Sequence, residues 1–460
     1  MFDAPPSQSG DSTWTGRFRP RGPRIAVARR NLTSSRGTSV LFGFALLAGF
    51  ALMYVLIPEA YIFIIRLWMP LPLRVPFADT AYVMAQLECW RAGIDVYVSN
   101  PCDIFGRTQA YPPIWLRLWF LPGSPRASVP LALLLAVGFI ISLAVLPRIE
   151  RKRDVILLLA AIASPVTGFA VERGNADLLI FILAAIVVIT AELSFPGRCA
   201  GYVGGVLAAL LKLYPIFLLA LLFREKPRVA AAFGLVLASL WLSVAWLWHT
   251  ELAHALANLP RPPYWYDGPG ARKLAEGLLV AAGSVIGHSG LDPRAVTALS
   301  ITQLLAAGAC ALLLACRSAF TAALGTLNSR EDLCLVVGGL LFCGCFVAGV
   351  SIAYREIFLL FALPALLRLR HDARLPPLLR WAPGMIVFLM WSTLPSRAID
   401  RTFGPLDEAG GPVPTLMFWL LCELMWWWLF VLFGSILLRF VGLPPIMKTW
   451  LPGPVRERGR

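Results

Sequence analysis

The chain reads as an all-α polytopic integral membrane protein, and three observations predict it. Of its 460 residues 58% are hydrophobic and only 15% charged, mean hydropathy is +0.71, and apolar runs long enough to span a bilayer recur along most of the length. The formal charge of +15 would suit nucleic acid, but Arg and Lys gather in short loops beside apolar runs, where they orient a membrane protein. Membrane lipids are therefore expected partners and nucleic acid is not. No internal repeat marks a two-fold transporter.

The elements follow in order from hydropathy and charge. Residues 1–39 are polar and rich in Pro, Ser and Arg, without the apolar core of a signal peptide, and are expected to form a disordered cytoplasmic tail. Asn31-Leu32-Thr33 matches a glycosylation acceptor but lies in that tail. A span near 40–66 puts a loop at 67–127 outside. A second, near 128–147, returns to the basic turn Arg148, Arg151, Lys152 and Arg153, and a third, near 154–170, exits at Glu172-Arg173-Gly174-Asn175. The fourth comes back to Arg198.

One more ordinary crossing would strand the basic group Arg224 to Arg228 outside. The conflict disappears if 201–223 is a broken hairpin with its tip at Lys212-Leu213-Tyr214-Pro215, because Pro215 lacks an amide donor and disfavours helix at Tyr214. The alternative is one kinked span with Lys212 snorkelling. Residues 229–248 lead to a second outer loop, 249–295, and 296–316 return to Arg317 and Arg330. The block 333–369 is too long for one crossing and is interrupted by Tyr354-Arg355-Glu356, where a turn would emerge outside. Its second half ends at Arg368, Arg370, His371 and Arg374. Spans near 380–395 and 414–440 leave 441–460 as a second cytoplasmic tail. The expectation is a domain at 40–440 of about ten crossings plus the broken hairpin, with both termini cytoplasmic.

The nine cysteines follow no metal spacing. Cys334, Cys343 and Cys345 read as small hydrophobes. Cys102 has one nearby partner, Cys89; a disulfide is open to the pair, and unpaired thiols are the favoured reading. No Asp-x-Asp pair or His cluster stands in either outer loop, so nothing requires a metal.

Candidate site residues lie where charge meets apolar sequence. Asp79 precedes a helical stretch through Glu88, so local pattern reads it as a helix cap; its place just past a span would also suit a partly desolvated base. Asp95 in Gly93-Ile94-Asp95-Val96-Tyr97 reads as a turn acceptor or a sugar contact, with Tyr97 beside it. Tyr111-Pro112-Pro113 is a rigid extended segment, either an interfacial anchor or a substrate contact. Lys212, Arg355 and Arg173, the last beside Gly174 and Asn175, are ionisable groups in or next to apolar runs, where burial is expensive and function is the default reading. For Arg355 an ion pair with Glu356 or Glu172 is an equal alternative. The later loop carries His249, His254 and Arg261-Pro262-Pro263-Tyr264-Trp265-Tyr266-Asp267-Gly268. Tyr264 and Trp265 would stack on a sugar, or the loop would lie among headgroups; His254 would orient a phosphate or be structural.

Taken in order, Asp79, Trp90-Arg91-Ala92-Gly93-Ile94-Asp95-Val96-Tyr97, Tyr111-Pro112-Pro113, Arg173-Gly174-Asn175-Ala176-Asp177 and Lys212 to Pro215 resemble the GT-C membrane glycosyltransferases that use polyprenyl-phosphate sugars. Within them the pattern is similar to the polyprenol-phosphate-mannose-dependent α-mannosyltransferases, glycosyltransferase family 87. The likeness covers residues 40 to 230 and fades beyond; at 174–177 it departs from the family's frequent Gly-Gln-x-Asn. It implies that Asp79, in the loop where GT-C enzymes carry their catalytic Asp, is the general base. It implies too that Lys212, following a helix with Gly201, Gly204 and Gly205, meets the leaving phosphate together with Arg355. The implied activity moves a mannose-like hexose from a polyprenyl-phosphate donor to a lipid or glycan acceptor on the outer face of a bacterial inner membrane, without a cofactor. A transporter or flippase of an amphipathic substrate, a non-catalytic scaffold and a glycan polymerase or ligase are the alternatives. The first would want paired broken helices, the second would tolerate Ala at Asp79 and Lys212, and the third would place Arg and His in a late outer loop.

Overall fold

The computed structural model describes residues 35–69, 73, 75–286, 292–348 and 351–442. Among them every regular element is helical. Asn31-Leu32-Thr33 and nearly all of both expected tails lie outside the described residues. Helix α1 (Ser35–Leu56) already begins at Ser35, which moves the tail boundary expected at 39. Five described helices are long and apolar enough to cross a membrane, or six if one bent pair counts as a span. They mark an all-α membrane protein.

The single span expected at 40–66 is two helices. Ile57, held out of helical geometry before Pro58, separates α1 from α2 (Pro58–Trp68). Phe50 stacks on Trp68 at 5.1 Å and Tyr54 meets Tyr61 edge-on at 5.1 Å, so α2 doubles back along the end of α1. Helix α3 (Ala78–Arg91) opens the following loop, and α4 (Ser128–Ser142) crosses behind it. The bent pair is α5 (Lys152–Ile162) and α6 (Pro165–Glu172), which meet at 42° where Pro165 starts a new helix capped by Ser164.

Helices α7 (Ala176–Thr190) and α8 (Phe195–Leu211) precede a full break. Lys212 is extended, and residues Tyr214–Arg224 form a 3-10 segment. That segment runs back beside α8, because Arg198 and Tyr202 both reach Glu225, at 2.5 and 2.7 Å. The hairpin with Lys212 at its tip is therefore present. The carbonyl of Leu211, released by the break, accepts from Trp115 Nε1 at 2.9 Å.

The remaining helices are α9 (Pro227–Leu247), α10 (His249–Ala257), α11 (Lys273–Ile286), α12 (Pro293–Ala315), α13 (Ser318–Leu324), α14 (Ser329–Val347), α15 (Leu359–Leu369), α16 (Pro377–Arg380), α17 (Ala382–Met390), α18 (Thr393–Phe403) and α19 (Val413–Phe440). Helix α14, started by the reciprocal cap of Asn328 and Glu331, is buried from Glu331 to Phe346 and forms the axis of the core. Gly344 is where it meets the hairpin: a Cβ there would stand 2.7 Å from the Tyr214 carbonyl oxygen. The span expected at 380–395 is instead α17, only nine residues long, followed by the polar α18. Tyr354, Arg355 and Glu356 lie in a 3-10 turn (Ala353–Phe358) that faces inward, against the expectation of an emergent turn.

The basic turns expected on one side share one end of the bundle. Asp154 pairs with Arg370 at 3.6 Å and His371 at 2.9 Å, Glu192 with Arg330 at 2.6 Å, and Arg36 donates to the Leu146 carbonyl at 2.9 Å. Asp79, Arg173, Lys212 and Arg355 are gathered elsewhere, in one cluster.

Candidate active site

The backbone places Asp79 before its side chain is considered. Phe77, at φ 57°, turns the chain into α3, and its amide donates to the Glu172 carbonyl at 2.7 Å, while the Asp79 amide donates to Arg173 at 2.9 Å. Thr80 Oγ1 adds a bond to the Gly174 carbonyl at 2.6 Å. Gly174 is itself left-handed, at φ 56°, and a Cβ on it would stand 2.4 Å from Thr80 Oγ1. The 172–174 carbonyls thus hold the start of α3 through two amides, of Phe77 and Asp79, and the Thr80 hydroxyl, with Phe77 at the N-cap position. The capping role that local pattern assigns to Asp79 is already filled, and its carboxylate makes no cap bond.

That carboxylate joins a buried chain of polar groups. Asn175 Nδ2 donates to Asp79 Oδ2 at 2.6 Å, and Arg173 and Arg107 lie 3.2 and 3.3 Å from Oδ1. Asn175 Oδ1 accepts from Lys212 Nζ at 3.1 Å and also caps α7 through the Asp177 amide at 2.9 Å. Lys212 pairs with Asp177 Oδ1 at 2.7 Å, the Tyr214 hydroxyl donates to the same oxygen at 2.6 Å, and Arg355 Nε is 3.8 Å from Oδ2. The phenol rings of Tyr111 and Tyr354 stand 5.2 and 5.5 Å from Lys212 Nζ. Arg355 thus finds Asp177, not the Glu356 or Glu172 considered from sequence.

The charges do not balance. Three carboxylates, Asp79, Asp103 and Asp177, face four cations, Arg107, Arg173, Lys212 and Arg355. Arg173 is 7% exposed and keeps Nε and Nη1 without an acceptor among the described residues. Excess buried positive charge with unmet donors is costly unless an anion completes it, and a phosphate has the charge and the acceptor oxygens to do so. Comparison with family models, curated proteins and solved structures gives no match. The geometry of the site and the order of its motifs therefore carry the functional argument.

An apolar groove of about 350 Å³ ends beside this cluster. It runs from Gly43 and Leu47 on α1, past Phe50 and Trp68, to Phe77 and Glu172, the residues adjoining Asp79 and Arg173. Its walls are helices α1, α2, α4 and α6, and the fold-back of α2 shapes one side of it.

The loop that follows α3 is latched over Asp79. Cys89 and Cys102 are disulfide-bonded, contrary to the favoured reading of free thiols. Arg107 reaches Asp79 from the loop, holds Asp103 at 2.9 Å, and lies 4.6 Å from the Tyr82 ring centroid. The Asp103 carboxyl sits below the ordinary carboxylate range: burial pushes it up, and the hydrogen bonds and charge of Arg107 more than offset this.

Other candidates lie apart. Asp95 accepts from the Tyr97 amide at 3.0 Å, the turn role expected of it. Asp95, Tyr97 and His254 line a separate cavity with Trp90 and Glu251, where Tyr97 meets His254 edge-on at 6.1 Å. Tyr264 packs on Trp419 at 5.2 Å, and Trp265 lines a third cavity. The sequence motifs contain Asp177 and Tyr214 without giving either a role, and Arg107 stands outside them. Asp177 carried the signal that exposed Lys212, an ionisable residue opening a wholly apolar helix; Arg107, in a polar loop, carried none.

Proposed function

We propose that the protein is a membrane glycosyltransferase that moves a mannose-like hexose from a polyprenyl-phosphate donor to a lipid or glycan acceptor. One observation carries the reading: a buried, cation-rich cluster with a carboxylate in it stands where an apolar groove ends. A polyprenyl phosphate has the matching shape, a hydrocarbon chain for the groove and an anionic head for Arg173, Lys212 and Arg355. Asp79 removes the proton from the acceptor hydroxyl. The hydroxyl oxygen bonds to the anomeric carbon as the carbon–oxygen bond to phosphate breaks, and the released phosphate monoester takes the bonding electrons and is stabilised by the cations. Lys212 and Arg355 act through charge, and Asn175 orients Asp79 and Lys212 at once.

The topology that goes with this reading has about ten crossings plus the Lys212 hairpin, both termini in the cytoplasm of a bacterial cell, and the Asp79 loop outside the inner membrane. The Cys89–Cys102 bond supports that sidedness, because disulfides persist in oxidising compartments.

The test is transfer itself. Purified protein in lipid, given a panel of radiolabelled polyprenyl-phosphate sugars and a membrane-lipid extract as acceptor, is expected to move label from one donor into the acceptor fraction. Movement of intact donor across proteoliposomes, with no new glycosidic product, would replace this reading with the flippase.

A further inference from the structure

A third cavity, of about 260 Å³, has the opposite chemistry from the Asp79 cluster. It lies between the 265–268 turn, α18 and α19, and three indoles, Trp265, Trp419 and Trp426, line it. Asp267, Asp400 and Glu423 bring three carboxylates, and Arg397 is the cation on its wall. An anion is disfavoured in such a space. No group of acids among the described residues converges as metal ligands.

Glu423 shows that the cavity is built to meet a donor. It is 2% exposed on α19; one oxygen faces Lys273 Nζ at 3.7 Å, and the other has no hydrogen-bond partner among the described residues. The Tyr266 hydroxyl is likewise unmatched there. Lys273 relieves only the first oxygen, since its ammonium is shared between Glu423 Oε1 and the carbonyls of Tyr266 and Gly268, and Oε2 keeps no donor among the described residues. A buried carboxylate oxygen left without a donor costs stability, and a ligand hydroxyl would repair that loss.

We infer that this cavity is a binding site for one neutral sugar ring, taken up through its CH face on the indoles and through its hydroxyls on Glu423, Asp267 and Ser396. Indole faces match the CH side of a pyranose, and carboxylates accept from its hydroxyls. The volume is below the roughly 300–1,000 Å³ typical of drug-sized ligands, which suits one ring and excludes a lipid. Arg397 ties the cavity to the groove wall by donating to the carbonyls of Arg66 and Met69. Resting on the glycosyltransferase reading, the ring it holds is a sugar of the acceptor.

Binding is tested without any donor, so its outcome is separate from that of the transfer assay. Full-length protein in nanodiscs is titrated with methyl α-mannoside, methyl α-glucoside and tetramethylammonium, followed by tryptophan fluorescence and by saturation-transfer NMR. A methyl pyranoside is expected to bind, and Glu423→Gln and Trp265→Leu are each expected to weaken it at least tenfold. Trp265 is only partly buried, so its variant keeps the test valid should Glu423→Gln fail to fold. Absence of pyranoside binding, binding unaffected in the folded variants, or preference for tetramethylammonium would overturn the proposal. Pyranoside binding in a protein that transfers no sugar would leave the site standing and remove only its acceptor role.

Discussion

Asp177 is the residue on which the buried cluster depends most. It is 0% exposed and faces Lys212, Tyr214 and Arg355. Removing it leaves two buried cations without their shared partner, so Asp177→Ala is expected to cost about 3–5 kcal/mol, read as a fall in thermal unfolding temperature. Lys212→Met, which removes charge but keeps length, should cost less. Gly174→Ala tests the strap below Asp79: a left-handed Cβ pressed against Thr80 is expected to destabilise by about 1–3 kcal/mol and to lower transfer by displacing Asp79. At this scale the sequence was half legible. Arg173, Lys212 and Arg355 could be picked out because charge is conspicuous in or beside apolar runs, Asn175 and Tyr111 came from the motifs around them and Asp79 from the resemblance over a helix cap, whereas the partnership of Asn175 with both Asp79 and Lys212 is a product of folding that spacing does not encode. Arg107 was hidden for the converse reason, since an Arg in a polar loop is unremarkable until the loop closes.

The latched loop and the broken hairpin are the elements that assemble the site. In the loop, the disulfide spans 13 residues, and its loss in a Cys89→Ser, Cys102→Ser double variant is expected to cost about 3 kcal/mol in the chain-entropy picture, seen as faster proteolysis between 92 and 110. Asp103 sets the pH range of the same latch. Because its folded pKa lies below the unfolded value, its contribution is complete above about pH 4 and is lost as pH falls through the lower folded value. Hydrogen exchange of the loop amides, corrected for intrinsic rate, should therefore be flat from neutral pH down to that point and rise beneath it. The hairpin was legible because Pro215 and the stranded basic group at 224–228 left few other solutions. The fold-back of α2 was not, although Pro58 marked the place: proline in an apolar run predicts a break but not the direction the chain then takes.

For the whole molecule, the all-α membrane class followed directly from composition, because no other class tolerates so many apolar runs with so little charge. Crossing number is harder to read, as α7, α8, α15 and α17 are short for a bilayer and sit where other helices cover them. Thiol labelling from either side of sealed vesicles, with single cysteines introduced at Arg151, His371 and Asp95, is expected to find the first two on the cytoplasmic side and the third outside. Any other distribution would reverse the assignment of the active face. The central claim concerns Asp79 as the base in a site that holds a lipid phosphate. Its most direct measurement compares wild type with Asp79→Asn for sugar transfer and, in parallel, for binding of the same polyprenyl-phosphate donor. The account predicts transfer reduced by about 10²–10⁴ with donor affinity changed by little, since the asparagine keeps the contact to Asn175 and the cations keep the phosphate. Transfer by Asp79→Asn at the wild-type rate would contradict it.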